Sequence, residues 1–284
     1  MPRNIRKLQA LNLLAGFVLW YPIEKLFLLS IGVGPLGISV NAVEFIIILL
    51  LLDVPSGILA DRWRRKHVLT IAFLCMLAGS AVGAVSHNLW QYLVATLGIG
   101  GFVALTQGTF QALMYDSLKD AGRQAHYDRE QGRAYALFLG GLGLSSVAGG
   151  YVRQWFGYPA AYWITVLVMA IATIITLLLH EPQAHRQTAV RRIRDHLRDS
   201  WQLVRTNQLL MQLALLITAM SLLRNAQNEY SALLFIALGL AFGWIAQNSN
   251  VFNAYAAIAL IGVVYLGYWI INGRRILRTV SQTV

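Results

Sequence analysis

Long apolar runs alternate along the chain with short polar segments, most of which are rich in arginine and lysine. A helix of about 20 apolar residues is long enough to cross the hydrocarbon core of a bilayer. The pattern before residue 180 predicts six spanning helices, at about 10–31, 37–60, 67–86, 89–116, 132–154 and 159–179. After a polar segment, two further spans are predicted at about 208–238 and 250–272.

The stretch 208–246 is too long for one span and short for two. One helix there gives eight spans in total, whereas two would give nine and would place the basic segment GRRILR outside. We therefore expect an all-α integral membrane protein with about eight transmembrane helices. Its predicted segments are a bundle of six spans (1–180), a cytoplasmic amphipathic linker (181–207) and an incomplete second bundle (208–284).

The predicted linker has apolar residues at helical spacing, with arginines off that stripe. The apolar stripe consists of Val190, Ile193, Leu197, Trp201 and Val204. A helix of this kind is expected to lie on the anionic inner leaflet of the membrane. The alternative is that this helix binds a regulatory partner.

Composition agrees with lipid as the main surrounding solvent, because 57% of the residues are hydrophobic and only 12% are charged. Soluble domains are about one quarter charged. A net charge of +11 could indicate nucleic-acid binding. Here, however, the cations lie in clusters between apolar runs, which is how charge orients a membrane protein. No nucleic acid is therefore expected as a partner.

The basic clusters all fall on one side of the predicted spans, at 3–7, 62–66, 119–133, 186–205 and 274–278. The connections 32–37 and 86–88, on the opposite side, contain no lysine or arginine, and Arg153 is the exception there. The positive-inside rule makes the basic side cytoplasmic. We expect a multi-pass protein of the cell membrane with both termini in the cytoplasm.

One basic cluster contains a recognisable motif, within the stretch DVPSGILADRWRRKH at 53–67. It resembles the G-x-x-x-D-[RK]-x-G-[RK]-[RK] signature of the major facilitator superfamily of secondary transporters. GTFQALMYDSL (108–118), GGYVRQWFGYPAAYW (149–163) and HEP (180–182) are similar to other segments of that family. The chain departs from the family pattern at Arg64, which replaces a motif glycine, and it lacks the Gly-Pro pair of antiporters in span five.

The resemblance implies a helical bundle that moves a small solute by alternating access, with efflux as one direction that it allows. It also implies a conformational latch at the cytoplasmic end of span two, formed by Asp53, Gly57, Asp61, Arg62, Arg65 and Lys66. The simpler alternative is that these cations only anchor the topology. No cofactor, metal site or enzymatic activity is expected, because the histidines lack metal-ligand spacing and no catalytic motif occurs.

Residues 243–256 weakly repeat the sequence of residues 150–163. In a chain with two complete six-span halves, corresponding segments would lie further apart along the sequence than these two do. An internal deletion in the second half is the expectation that follows. The alternative function is therefore a shortened, transport-inactive membrane protein with a structural or regulatory role.

Two carboxylates within the predicted spans are candidates for proton coupling. Glu24 and Glu44 lie at equal distances from the turn near Gly34, so they should reach similar depth in neighbouring helices. Facing carboxyl groups in a low dielectric tend to share one proton. The alternative is that Lys25 neutralises Glu24 while Glu44 faces the headgroups.

The remaining polar candidates are amide and charged side chains. Gln107 and Gln111 are spaced to share one face of span four, where they could line a cavity or bond across helices. Arg224 could bind an anionic solute, or it could pair with Glu229 or Glu24. Asp116 lies near the cytoplasmic boundary, where a structural contact is expected rather than a contact with solute.

Overall fold

The computed structural model describes residues 3–182 and 211–212, with only the backbone described for Arg3 and residues 53–62. Its helices are α1 (Arg3–Gly16), α2 (Glu24–Ser30), α3 (Pro35–Arg62), α4 (Arg65–Ala84), α5 (Leu89–Thr106), α6 (Thr109–Asp120), α7 (Tyr127–Phe156) and α8 (Tyr158–Leu177). Short 3₁₀ turns at Tyr21–Ile23 and Gln124–His126 precede α2 and α7.

The described helices confirm the prediction of an all-α membrane protein, since this part of the chain contains no β-strand. Six helical segments are long and apolar enough to cross a membrane: Asn4–Ser30, Pro35–Leu52, Arg65–Ala84, Leu89–Asp120, Gln124–Phe156 and Tyr158–Leu177. They correspond to the six spans predicted before residue 180. The linker and the later spans lie outside the described residues, apart from 211–212, so the total of about eight spans stays a prediction.

The chain divides into two compact units, Met1–Ser231 and Ala232–Val284, and all described residues lie in the first. Within this unit, α4 packs mainly against α5 and α8, α1 packs against α7, and α3 packs against α5. Large apolar side chains face outward from α3 and α5, as at Leu50, which is 75% exposed, and Trp90, which is 77% exposed. Such side chains are suited to contact with lipid.

The first span is not one continuous helix. Helix α1 ends at Gly16, and residues 17–20 leave the helical conformation before the 3₁₀ turn. Side chains from other helices accept hydrogen bonds from donors in this irregular segment. The backbone amide of Leu19 donates to Thr165 Oγ1 at 3.1 Å. The indole of Trp20 donates to Ser80 Oγ, also at 3.1 Å. Irregular backbone at membrane depth requires partners of this kind.

The fourth span is also interrupted, between α5 and α6. Gly108 adopts φ +79°, a left-handed conformation that favours glycine and cannot continue an α-helix. The expectation of a single helix over 89–116 is wrong in this respect. The break lies in the polar stretch Thr-Gln-Gly-Thr at 106–109, which the predicted span included.

Helices α1 and α7 approach each other closely enough to require glycine at the contact. A Cβ added at Gly141 would lie 2.3 Å from the backbone oxygen of Leu13, and one added at Gly16 would lie 2.1 Å from that of Phe138. Glycine allows such close backbone approach in membrane helix pairs. This contact fixes α1 and α7 together in the bundle.

Candidate functional site

The turn between α3 and α4 contains the motif singled out in the sequence. Helix α3 ends at Arg62 and α4 begins at Arg65, so Trp63 and Arg64 make the connection. Arg64 occupies the N-cap position, with φ −67° and ψ 125°, and its side chain makes no capping bond. A guanidinium has no acceptor atom, so it cannot serve the free amides at the start of a helix.

Glu181, which follows α8, supplies the missing acceptor. Its Oε1 accepts a hydrogen bond from the backbone amide of Arg65 at 2.9 Å. Its Oε2 accepts one from the amide of Lys66 at 3.0 Å. A carboxylate in this position is also favoured by the helix dipole. The end of the sixth span therefore caps the start of the third span.

The side chain of Arg65 forms an ion pair with Asp116 on α6. The two side chains are only 14% and 12% exposed. Arg65 Nε is buried and has no hydrogen-bond partner among the described residues. The structure thus brings together one residue of the predicted latch and the carboxylate predicted at the cytoplasmic boundary, while their roles stay predictions.

Helix α1 joins the same region through its polar side chains. Asn4 Nδ2 donates to Ser117 Oγ at 2.6 Å, and Asn4 Oδ1 accepts from the amide of His180 at 3.1 Å. Lys7 Nζ donates to the carbonyl of Leu178 at 2.5 Å. These bonds tie the start of the first span to the fourth span and to the end of the sixth.

Helix α7 is tied to α1 through a buried carboxylate. Glu130 is 4% exposed, accepts a hydrogen bond from Gln9 Nε2 at 2.8 Å and pairs with Arg133 at 3.0 Å. We call all of these contacts the cytoplasmic network, after the side of the membrane that the sequence predicts for them; its members are Asn4, Lys7, Gln9, Arg65, Lys66, Asp116, Ser117, Glu130, Arg133, Leu178, His180 and Glu181. It links α1, α4, α6, α7 and the end of α8.

Most of the other predicted latch residues are described only in part. The backbone places Asp53, Gly57, Asp61 and Arg62 in the last turns of α3, as the motif predicts, but their side chains lie outside the description. Lys66 is described, and its amide bonds to Glu181. Arg224 and Glu229 lie outside the described residues.

Glu24 and Glu44 have different surroundings. Glu24 Oε1 accepts a hydrogen bond from Tyr92 Oη at 2.8 Å, and Glu24 Oε2 pairs with Lys25 Nζ at 3.2 Å. Glu44 Oε2 is buried and has no hydrogen-bond partner in the described part of the chain. None of the bonds among the described residues joins the two carboxyl groups. The pair of Glu24 with Lys25 matches one part of the alternative that the sequence left open, while the position of Glu44 at the headgroups stays a prediction.

The tyrosine that binds Glu24 belongs to a buried aromatic cluster. Tyr92 Oη lies 3.1 Å from Tyr162 Oη, and both side chains are fully buried. The ring of Tyr162 stacks on Trp20 with centroids 5.3 Å apart and an interplanar angle of 3°. The sequence analysis did not predict this cluster. The only indication of it in the sequence was the presence of these aromatic residues within the apolar runs.

The break in the fourth span changes the relation between its two glutamines. Gln107 lies between α5 and α6, whereas Gln111 is in the first turn of α6, and both are exposed. Their spacing therefore does not place them on one face of a continuous helix. Their predicted role at a cavity stays a prediction. Within the described residues, no group of three histidine, cysteine, aspartate or glutamate side chains could hold a metal ion.

Comparison with known families gives a match over nearly the whole chain. The family profile described as Major Facilitator Superfamily matches residues 8–281. The chain is 23% identical over 150 residues to "Uncharacterized transporter BU466" of Buchnera aphidicola subsp. Acyrthosiphon pisum (strain APS), covering 52% of this chain and 34% of that protein. It is 29% identical over 173 residues to "Multidrug resistance protein MdtG" of Dickeya zeae (strain Ech586), covering 57% of this chain and 40% of that protein.

Solved structures show a related fold. A crystal structure of a mutant of the nucleoside transporter NupG superposes with a TM-score of 0.73 at 17% identity, covering 97% of this chain and 69% of that one. The POT family transporter PepTSo gives a TM-score of 0.52 at 22% identity, covering 63% and 37%. At these identities the likeness shows the fold alone. The chain spans 34% and 40% of the length of the two curated relatives.

Proposed function

The chain belongs to the Major Facilitator Superfamily, and we propose that it is a secondary transporter that moves a small solute across the cell membrane by alternating access, with both termini in the cytoplasm. The observation that carries this proposal is the ion pair of Arg65 and Asp116. It joins two spans directly beside the turn that holds the family motif. Glu181 fixes the same turn to the end of the sixth span.

A transporter must hold the helix ends on one side together and then release them. Charged groups suit this task at the water boundary, because their desolvation costs less there than at the centre of the bilayer. We propose that the cytoplasmic network stabilises the conformation closed to the cytoplasm. Asp53, Gly57, Asp61, Arg62 and Lys66 are proposed to act with Arg65 in this latch.

The solute is proposed to contact polar side chains near the broken fourth span. Gln107 and Gln111 are exposed beside that break, which supports a role at a solute path. Arg224 and Glu229 are proposed as further contacts. Efflux is the proposed direction, supported by the printed name of the multidrug resistance relative. Proton coupling through the carboxyl groups of Glu24 or Glu44 completes the proposal.

The experiment is a flux measurement on the purified full chain in proteoliposomes, with a panel of organic cations, nucleosides and short peptides. We expect at least one compound to move in the wild type, and Asp116→Asn to slow that movement. Asp128→Asn is the matched control, because Asp128 is an exposed carboxylate near the cytoplasmic end of α7. It should leave the flux unchanged.

The alternative function, a transport-inactive membrane protein with a structural or regulatory role, gives a different result in the same experiment. The protein would insert and fold, yet no compound of the panel would move in the wild type. That outcome would contradict the transport proposal. Equal flux in the wild type and in Asp116→Asn would contradict the proposed role of the network.

A further inference from the structure

Glu44 lies on the face of α3 that packs against α5. Asn41 and Ile48, one turn on either side of it, both contact this neighbour: Asn41 Nδ2 donates to Thr96 Oγ1 at 2.6 Å, and Ile48 lies against Gly100. Residues at this spacing share one helix face. The amide of Asn41 is thus directed to Thr96, and Glu44 Oε2 is buried without a hydrogen-bond partner among the described residues.

The helix that faces Glu44 offers it no counter-charge. Helix α5 contains no lysine, arginine, aspartate or glutamate, and its one titratable residue is Tyr92. The hydroxyl of Tyr92 is already bound to Glu24 and Tyr162. The carboxyl group therefore meets neither a cation nor a free phenol from this side.

Among the described residues, the other charged groups near α3 lie at a distance or are already paired. In α4, Arg65, Lys66 and His67 lie in the first turn at the cytoplasmic end, and the only titratable residue beyond that turn is Cys75. Along α3 itself, the next charged residue is Asp53, on the order of 13 Å further on at 1.5 Å per residue, and Asp61 and Arg62 follow it. Beyond the turn before α3, Glu24 and Lys25 pair with each other.

We propose that Glu44 alone takes up and releases the coupling proton, and that Glu24 is a structural carboxylate. This inference rests on the proposed transport function and names the titrating group within it. An unpaired carboxylate in a membrane span is costly, whereas the neutral acid is far cheaper. Both oxygens of Glu24 already have partners, Tyr92 and Lys25.

The proton step is a simple dissociation. When α3 faces a water-filled cavity, the acid of Glu44 gives its proton to water and remains as a carboxylate. When the helix faces lipid and α5 again, the carboxylate takes a proton from water on the side then open. No other residue has to accept the proton.

The test is chemical labelling of the full chain in lipid vesicles with the hydrophobic reagent dicyclohexylcarbodiimide, which adds to protonated carboxyl groups in membranes. Peptide mass spectrometry locates the product. We expect labelling at Glu44 and not at Glu24, falling roughly ten-fold per pH unit above the midpoint of its titration. Absence of the label at Glu44 over the whole pH range, or equal labelling of Glu24, would overturn the inference.

Two variants sharpen this test. Glu44→Gln should abolish the pH-dependent label, whereas Glu24→Gln should leave the label at Glu44 in place. The wild-type pattern alone decides the question if either variant fails to fold. Retention of the same pH-dependent label in Glu44→Gln would assign it to another carboxyl group and overturn the inference.

Labelling needs no solute, so this inference can fail separately from transport itself. Where the wild type moves a compound, Glu44→Gln should still exchange it across the membrane but lose acceleration by an imposed pH gradient. If the pH gradient still accelerates exchange in Glu44→Gln, Glu44 is not the only group that carries the coupling proton, and the inference is contradicted. Absence of flux in the wild type would contradict the proposed function instead.

Discussion

Gly140 and Gly141 are neighbours on α7, yet only one of them faces α1. A Cβ at Gly141 would lie 2.3 Å from the backbone oxygen of Leu13 and 3.2 Å from the amide nitrogen of Phe17. A Cβ at Gly140 would meet nothing within 4 Å. The same substitution, glycine to alanine, should therefore have opposite effects at adjacent positions.

The expected difference follows from the contact distances. Carbon atoms pack at about 3.5 Å, so an alanine at Gly141 requires α1 and α7 to separate by about 1 Å. Overpacking of this kind costs about 1–3 kcal/mol. Gly140→Ala should instead be neutral or stabilise by up to about 1 kcal/mol, because alanine restricts the unfolded chain more than glycine does. The two variants should differ by about 1–4 kcal/mol.

The measurement is the free energy of unfolding of the full chain in mild detergent, titrated with sodium dodecyl sulfate and followed by circular dichroism. Gly143→Ala serves as a second control, because a Cβ there also meets nothing within 4 Å. Equal stability of the Gly140→Ala and Gly141→Ala proteins, or greater damage at Gly140, would show that α7 presents a different face to α1.

Three further predictions concern the ends of the bundle. Glu181→Ala should speed hydrogen exchange at the first two amides of α4 by about ten-fold, with Glu181→Gln intermediate; unchanged exchange in both would refute the cap. Tyr92→Phe should lower the free energy of unfolding by about 1–3 kcal/mol, because two buried polar groups lose a partner; a neutral effect would contradict that bonding. In a Cys75→Ser background, a membrane-impermeant thiol reagent added to intact cells should label His87→Cys but not Trp63→Cys; the reverse pattern would invert the topology.

The spans themselves could be predicted from the sequence because hydrophobic length is a strong signal. The six segments of the described bundle follow the apolar runs, and the motif at Gly57 and Asp61 lies at the end of α3 as its spacing indicated. The interruption in the first span gave no such signal. Phe17 and Val18 are as apolar as their neighbours, whereas Gly108 lies in the polar stretch TQGT (106–109), a signal that the predicted span passed over.

The partners of the polar residues could not be predicted because they come from distant parts of the chain. Glu181 reaches Arg65 across 116 positions, and Tyr92 reaches Glu24 across 68. Only packed helices place these groups together. The absence of a capping residue at Arg64 was visible in the sequence and pointed to an acceptor elsewhere, but not to which residue supplies it.

Charge reversal in proteoliposomes tests whether the pair of Arg65 and Asp116 controls solute movement. Flux of a transported compound should be measured in the wild type, in Arg65→Asp, in Asp116→Arg and in the double variant that exchanges the charges. We expect flux in the wild type, its loss in each single variant and partial recovery in the double variant. Absence of any flux in the wild type, or full flux in both single variants, would contradict the account of a transporter whose closed state depends on the ion pair of Arg65 and Asp116.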